Sequence, residues 1–103
     1  MRLVARYADV WNSAGGASPE AAREQSRKLD QACNELGRDP ATIRRSIQHV
    51  WDGRDRGKLV DLVGRNLQAG FTEQIINCQG PDHARVAAAA AEALPELRSA
   101  PVR

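Results

Sequence analysis

The chain has 103 residues, with 15 lysines and arginines against 13 aspartates and glutamates, so its formal net charge is only +2. This length suits one domain or part of one. Aromatic residues make up 4% of the chain and do not interleave with basic residues as they do in single-strand binders, so no nucleic-acid partner is expected. The sequence has no apolar run of about 18 residues and no signal peptide, which predicts no membrane span and a cytoplasmic location.

Helices and strands are predicted to alternate along the chain. In chain order the sequence predicts a helix over 1–8, a strand over 9–13, a helix over 19–36, a single helical turn that starts at 39–40, a strand over 43–51, a helix over 56–69, a strand over 73–78 and a helix over 81–94. The last helix is expected to end near Leu94-Pro95. A disordered tail is expected over 99–103.

The first long helix has the clearest boundary signals. Ser18 is a good N-cap, because its hydroxyl can accept a backbone N–H of the first turn. Pro19 suits the first helical position, and Gly37 suits a left-handed cap at the other end. Leu29 and Cys33 fall on one apolar stripe, which predicts that this side of the helix packs inward.

Strands that alternate with long helices predict an α/β fold of three β/α units with parallel strands. Two architectures fit this order: a small three-layer α/β sandwich, and a slice of a (β/α)₈ barrel. A complete barrel needs about 250 residues and eight strands. The sequence therefore predicts a partial barrel segment over 1–98 in the second case.

A three-stranded slice has two open strand edges and helices on one face only. Its other face is expected to be apolar, with residue 47 or 48, residue 50, and residue 75 or 76 alternating along it. Parallel sheets are normally covered on both faces, and open edges invite pairing. We therefore expect a homo-oligomer, a twofold dimer in the simplest case, or a complementing chain.

Four segments carry a resemblance to a known family. They are RLVARYADVWN at 2–12, SPEAAREQSRKLDQACNELGRDPATIRRS at 18–46, LVGRNLQAGFTEQIINC at 62–78 and ALPELR at 93–98. Their order and spacing resemble the C-terminal part of luciferase-like monooxygenases, and most closely the deazaflavin-dependent oxidoreductases among them. The sequence motifs typical of that family at these places are RYADGWN, GRDP, AGVDE and LPRLR.

The resemblance implies a TIM barrel that uses flavin mononucleotide or a deazaflavin for oxidation chemistry. Trp11 and Asn12 would then face the cofactor. The family's N-terminal strands and its glycine-rich phosphate loop have no counterpart in the 103 residues. We therefore expect this chain not to catalyse oxidation by itself, and we assign no catalytic residue.

Other candidate positions point to structure more than to chemistry. The loop AGGAS at 14–18 could wrap a phosphate, but it matches no phosphate-loop pattern. His49 has no partner at a spacing typical of a nucleophile or metal site, so a packed or hydrogen-bonded histidine is expected. Cys33 and Cys78 are too few and too far apart for a zinc site or disulfide framework, so no metal is expected. Cys78 could be a reactive thiol at a strand end, but no nearby cation favours it.

Three functions from different classes remain open at this point. The first is the C-terminal part of a flavin- or deazaflavin-dependent oxidoreductase. The second is a non-catalytic oligomeric structural or interaction module. The third is a small anion- or nucleotide-binding protein that uses the ends of its strands.

Overall fold

The computed structural model describes residues 1–14 and 18–100. The elements in chain order are α1 (Arg2–Tyr7), β1 (Val10–Ser13), α2 (Pro19–Leu36), a 3₁₀ turn (Pro40–Thr42), β2 (Arg44–Val50), α3 (Arg56–Gln68), β3 (Glu73–Asn77) and α4 (His83–Arg98). The predicted alternation of helices and strands is therefore confirmed over the described part of the chain.

The three strands form one parallel sheet in the order β1-β2-β3. Asn12 pairs with Ser46, and Gln48 pairs with Ile75. The strands thus follow chain order, each separated from the next by a helix. This confirms an α/β fold with a three-stranded parallel sheet.

Helix α2 begins and ends where the sequence predicts. The Ser18 hydroxyl accepts a hydrogen bond from the backbone N–H of Ala21 at 3.2 Å, and Pro19 occupies the first turn. Gly37 closes the helix with φ of 73°, a left-handed conformation that costs little without a Cβ. The caps therefore fix both ends of this helix independently of the packing.

The GRDP segment after α2 connects that helix to α1. The guanidinium of Arg38 donates to the backbone oxygens of Ala5 at 3.0 Å and Ala8 at 2.7 Å. Asp39 caps the following 3₁₀ turn, because its carboxylate accepts from the N–H of Ala41 at 3.0 Å. This segment thus satisfies carbonyl groups at the end of α1, which otherwise have no intrahelical partner.

Three apolar clusters pack the helices against the sheet. The first joins α1 to α2 around Leu29, the second joins α3 to α4 around Leu59, and the third surrounds Phe71. Each cluster takes its strand residues from one face of the sheet, represented by Trp11, Ile47 and Ile76. The described helices therefore cover one face and leave the other free.

The molecule is more extended than a compact domain of its length. Its radius of gyration is 14.7 Å and its extents are 45 × 27 × 20 Å. A compact domain of this size has a radius of gyration of about 13 Å. The difference fits helices and strands laid side by side as an open layer.

One predicted helix end is wrong. Helix α4 does not end near Leu94-Pro95 but continues to Arg98, because Leu97 is buried in the cluster of Leu59 and stabilises the last turn. Disorder over residues 99–103 stays a prediction; within it, Ser99 Oγ donates to the backbone oxygen of Pro95 at 2.9 Å. Residues 101–103 of that predicted tail lie outside the described part of the chain.

Candidate functional site

The candidate site is the sheet face that carries no described helix, hereafter the open face. Side chains alternate along a strand, and paired residues of parallel strands point to the same side. The register therefore assigns nine residues to it: Val10, Asn12, Arg44, Ser46, Gln48, Val50, Glu73, Ile75 and Asn77. Ile47 and Ile76, which the sequence left as alternatives for this face, lie on the helix side.

A continuous chain of hydrogen bonds crosses the open face. Asn77 Nδ2 donates to Gln48 Oε1 at 3.1 Å, and Gln48 Nε2 donates to Asn12 Oδ1 at 3.1 Å. Asn12 Nδ2 then donates to Ser46 Oγ at 2.9 Å. These four side chains, hereafter the amide chain, link all three strands.

Three of the four side chains of the amide chain lie in the carboxyl-terminal halves of their strands, whereas Ser46 is the third of seven residues in β2. Asn77 is the last residue of β3, and Asn12 is the third of four residues in β1. In parallel α/β folds, ligands bind at the carboxyl ends of the strands. The position of the amide chain therefore matches the end of the sheet where binding sites occur.

Charged groups on the open face are confined to its amino-terminal end. Arg44 Nε lies 3.7 Å from Glu73 Oε2, so the two charges pair with each other. The seven other assigned residues of the face are uncharged. A ligand on the amide chain would therefore meet dipoles and no unpaired charge from the sheet itself.

Burial varies strongly across the open face. Ser46 is only 1% exposed, although it belongs to this face, because its neighbours enclose it. Val10, Val50 and Ile75 are 42%, 62% and 40% exposed. The open face is thus a row of hydrogen-bonded amides flanked by accessible aliphatic side chains.

The two residues predicted to face a cofactor lie on opposite sides of β1. Trp11 belongs to the helix side, where its ring centroid lies 5.6 Å from that of Phe71 and its side chain packs against two core clusters. Asn12 lies on the open face within the amide chain. Of the predicted pair, Asn12 alone is placed to contact a ligand on that face.

His49 is a packed histidine. Its side chain is 9% exposed on the helix side, and neither ring nitrogen has a hydrogen-bond partner among residues 1–14 and 18–100. Burial lowers the pKa of His49 below its usual value, while the nearby Gln74 side chain opposes the shift. That amide already donates to the backbone oxygen of Val63 at 3.0 Å. His49 is therefore a neutral core residue at physiological pH.

Other polar residues at and after the strand ends hold the loops in place. Arg85 donates to the backbone oxygen of Asp52 at 3.1 Å, and the Asp52 carboxylate accepts from the N–H of Arg54 at 2.9 Å. Trp51 Nε1 donates to the backbone oxygen of Asp55 at 3.3 Å. Cys78 is a free, half-buried thiol. Residues 15–17 of the AGGAS loop lie outside the described part of the chain.

On the helix side, a concave groove lies between α2 and α3. It is lined by acidic and basic side chains that pair across and along the helices. Arg65 contacts Glu20 at 3.3 Å and Asp61 at 3.0 Å, and Arg27 contacts Glu24 at 2.6 Å. Since these charges neutralise each other, the groove offers little net attraction to a charged ligand.

The described residues form neither a metal-ligand cluster nor a membrane-spanning helix. Over residues 1–14 and 18–100, no group of three or more His, Cys, Asp or Glu residues is arranged to hold a metal ion. Within the same residues, no helix combines the length and apolarity that a membrane crossing requires.

Sequence reasoning missed the amide chain as a unit. Ser46 was not singled out, although it anchors one end, and Gln48 was considered only as an alternative to Ile47. The available signal was the polar pair Ser46 and Gln48 at alternate positions of β2. The cross-strand register that brings Asn12 and Asn77 to them is visible only in the fold.

Comparisons with known proteins do not assign the chain to a family. No family model matches it, and neither a curated protein nor a solved structure matches it. The fold and the open face are therefore the observations on which a function must rest.

Proposed function

We propose that the three β/α units form part of the wall of a luciferase-like (β/α)₈ barrel, in an oxidoreductase that uses flavin mononucleotide or a deazaflavin. The resemblance of four sequence segments to that family supports this proposal. The observation that carries it is the amide chain, which makes the helix-free face of the sheet polar.

The polarity of the open face favours a cavity wall over the middle layer of a sandwich. In a three-layer sandwich both faces of a parallel sheet are buried and its strands are nearly continuously apolar. Strand β2 instead alternates, with Ile47 toward the helices and Ser46 and Gln48 toward the open face. An apolar layer on that face would exclude water from the remaining donors and acceptors of the amides. Burying these groups without hydrogen-bond partners would cost free energy.

The open face fits one part of the implied cofactor. Uncharged amides and aliphatic side chains suit the edge of a flavin or deazaflavin ring, and Asn12 is the predicted cofactor residue that lies there. A phosphate needs cations or free backbone N–H groups. The only cation assigned to this face, Arg44, is paired with Glu73. The described residues therefore fit the ring and offer no built phosphate site.

Catalysis by this chain alone is not expected. Rate acceleration requires a closed, water-excluding pocket that orients the reactants, whereas here Val50 is 62% exposed on the open face. The chain contributes one wall, and further strands must supply the rest. A complementing chain is one source of such strands.

Cofactor binding tests the proposal directly. Fluorescence titration of the purified chain with a deazaflavin and with flavin mononucleotide is expected to show weak, saturable binding of one of them. Asn12→Ala should weaken that binding, whereas Asn34→Ala, on the exposed side of α2, should not. Absence of binding, or turnover of reduced cofactor by the chain alone, would contradict the proposal.

A second candidate, a non-catalytic oligomeric module, is favoured by a separate observation. Leu3 and Tyr7, one helical turn apart on α1, are 75% and 73% exposed. They form an exposed apolar strip on α1, which a second copy could cover. The polar open face is less suited to a dimer interface than this strip.

Light scattering behind a sizing column tests the oligomer. A species of about twice 11.2 kDa that Leu3→Ser and Tyr7→Ser convert to a monomer would support the module. A monomer at all concentrations would exclude it and would leave the barrel-wall proposal standing.

A further inference from the structure

We infer that the Asp52-Gly53 peptide, in the loop after β2, is a site of spontaneous isomerisation to isoaspartate, and that the guanidinium of Arg85 directs this reaction. The inference is independent of the proposed oxidoreductase function. It assigns to the chain a modification that uses no enzyme and no cofactor, in which a backbone nitrogen attacks the neighbouring side-chain carboxyl group.

The backbone nitrogen after Asp52 is the least hindered one that follows an aspartate. Among the aspartates of the sequence, only Asp52 is followed by glycine. A following side chain shields its own backbone nitrogen, and a following proline has no N–H, as at Asp39-Pro40. Gly53 has neither obstacle, and its φ of 82° is a conformation that residues with a side chain rarely adopt. The Gly53 nitrogen is therefore free to approach a carboxyl group.

The loop already folds the Asp52 carboxyl group back over the backbone. Its Oδ1 accepts a hydrogen bond from the N–H of Arg54 at 2.9 Å. A side-chain oxygen that reaches the N–H two residues ahead places its carboxyl carbon beside the backbone nitrogen between them, which here belongs to Gly53. Asp52 is also exposed, so water can leave and enter the site.

The reaction has two steps, and both balance without an oxidant or a reductant. In the first step the Gly53 nitrogen forms a bond to Cγ of the protonated Asp52 carboxyl group. The nitrogen loses its proton and one carboxyl oxygen leaves as water, which gives a five-membered succinimide ring. In the second step water adds to one of the two ring carbonyl groups. Addition at Cγ restores aspartate, whereas addition at the main-chain carbonyl carbon breaks its bond to the Gly53 nitrogen and gives isoaspartate.

Arg85 contacts the carbonyl group that decides between the two products. Its Nη2 donates to the main-chain oxygen of Asp52 at 3.1 Å, and its side chain is half-exposed. The guanidinium also lies against Gly53, since a Cβ built there would meet Nη1 at 3.2 Å. A cationic donor polarises this carbonyl group and stabilises the negative charge that develops on its oxygen when water adds. Arg85 therefore favours the addition that yields isoaspartate.

The contact with Arg85 is also stronger in the product. In isoaspartate the former main-chain carbonyl group of Asp52 is a free carboxylate, so the neutral acceptor of Arg85 becomes an anion and the hydrogen bond becomes an ion pair. The reaction at the same time adds the Cβ carbon of Asp52 to the backbone between β2 and α3. The loop is thus lengthened while its anchor on α4 is kept.

Peptide mapping of the aged chain tests whether the site reacts. The folded wild-type chain is kept for weeks at neutral pH and is then digested with trypsin. The tryptic peptide 46–54 contains Asp52, and chromatography separates its aspartate and isoaspartate forms. We expect isoaspartate to accumulate in this peptide and not in the peptides that contain the other aspartates.

The variant Asp52→Asn measures which carbonyl group water attacks. Ammonia then leaves in place of water and the same ring forms, so both products come from the ring and differ from unreacted asparagine. The ratio of isoaspartate to aspartate should be at least about threefold higher in the folded chain than in the chain unfolded in guanidinium chloride, which corresponds to one weak hydrogen bond. Adding Arg85→Gln should abolish this excess. Adding Arg54→Gln, which removes an exposed arginine from the same loop, should retain it.

Each result decides one part of the inference. Absence of isoaspartate from peptide 46–54 of the folded wild-type chain would overturn the modification site. Equal product ratios in the folded and unfolded Asp52→Asn chains, or equal effects of Arg85→Gln and Arg54→Gln, would overturn the role of Arg85. The comparison of folded with unfolded Asp52→Asn needs no change at Arg85, so it still tests the direction of ring opening if Arg85→Gln does not fold.

Discussion

Replacing His49 by leucine should leave the protein at least as stable at neutral pH and remove a source of acid sensitivity. His49 is 9% exposed, and no described residue is a hydrogen-bond partner of either ring nitrogen. A buried polar group without a partner costs about 1–3 kcal/mol, whereas an apolar group of similar size does not carry that cost. We therefore expect His49→Leu to change the free energy of unfolding at pH 7.5 by between zero and about +3 kcal/mol.

The pH dependence follows from the direction of the pKa shift. Burial lowers the pKa of His49 in the folded state, so between that value and the unfolded value of about 6.5 the unfolded chain binds more protons. The pH-dependent penalty of keeping His49 neutral in the fold is therefore nearly absent above about pH 6.5 and grows as the pH falls through this window. The slope for one proton is at most about 1.4 kcal/mol per pH unit.

Urea unfolding at pH 7.5, 6.5 and 5.5 measures both effects. The wild-type chain should lose stability from pH 6.5 to 5.5 more steeply than His49→Leu, and the curves should be parallel above pH 6.5. His83→Leu is the matched control, because His83 is exposed at the start of α4. If His49→Leu destabilises the fold at pH 7.5 by more than about 2 kcal/mol with an unchanged pH slope, the histidine has a partner in solution and the reasoning fails.

Three further predictions concern an ion pair, a core contact and a helix cap, and urea unfolding tests each of them. Arg45 is 7% exposed and pairs with half-exposed Asp30. Asp30→Asn should lower the free energy of unfolding by about 3 kcal/mol, because it leaves the buried charge of Arg45 without its partner, and Arg45→Met should lower it less. The opposite order would contradict this reasoning. Leu97→Ala should lower the free energy of unfolding by about 2–5 kcal/mol, and Leu94→Ala, at a more exposed position, by about 1 kcal/mol. Equal losses would mean that α4 ends before Leu97. Ser18→Ala should cost about 1 kcal/mol through the lost cap of α2, and no change would show that the cap is dispensable.

The sequence was sufficient where local chemistry decides the structure. Ser18, Pro19 and Gly37 fix the ends of α2 through backbone capping, which acts within a few residues, and the predicted bounds are those observed. The last helix shows the limit of such reasoning. Pro95 signals an end locally, but burial of Leu97 against α3 is a long-range contact that carries the helix past it.

Predicting the candidate site required information that the sequence of a single strand does not contain. Which side of β2 faces the helices depends on the register with its neighbours, so Ile47 and Gln48 could not be assigned to faces from alternation alone. The ion pair of buried Arg45 with half-exposed Asp30 could not be predicted either, because the two residues lie on different elements.

The chemistry of the two sheet faces limits what kind of layer can cover the open face. On the helix side of β2, Ile47 packs in the cluster of Phe71 and His49 is buried, while the other side carries the amide of Gln48 and the enclosed hydroxyl of Ser46. An apolar layer laid on the open face would bury the second N–H of each amide without an acceptor, at about 1–3 kcal/mol for each. A cavity that holds water or a polar ligand avoids this cost and still shields the flanking valines and Ile75. Of the two coverings, a cavity therefore costs less free energy than an apolar layer. This difference supports the proposed barrel wall over a sandwich.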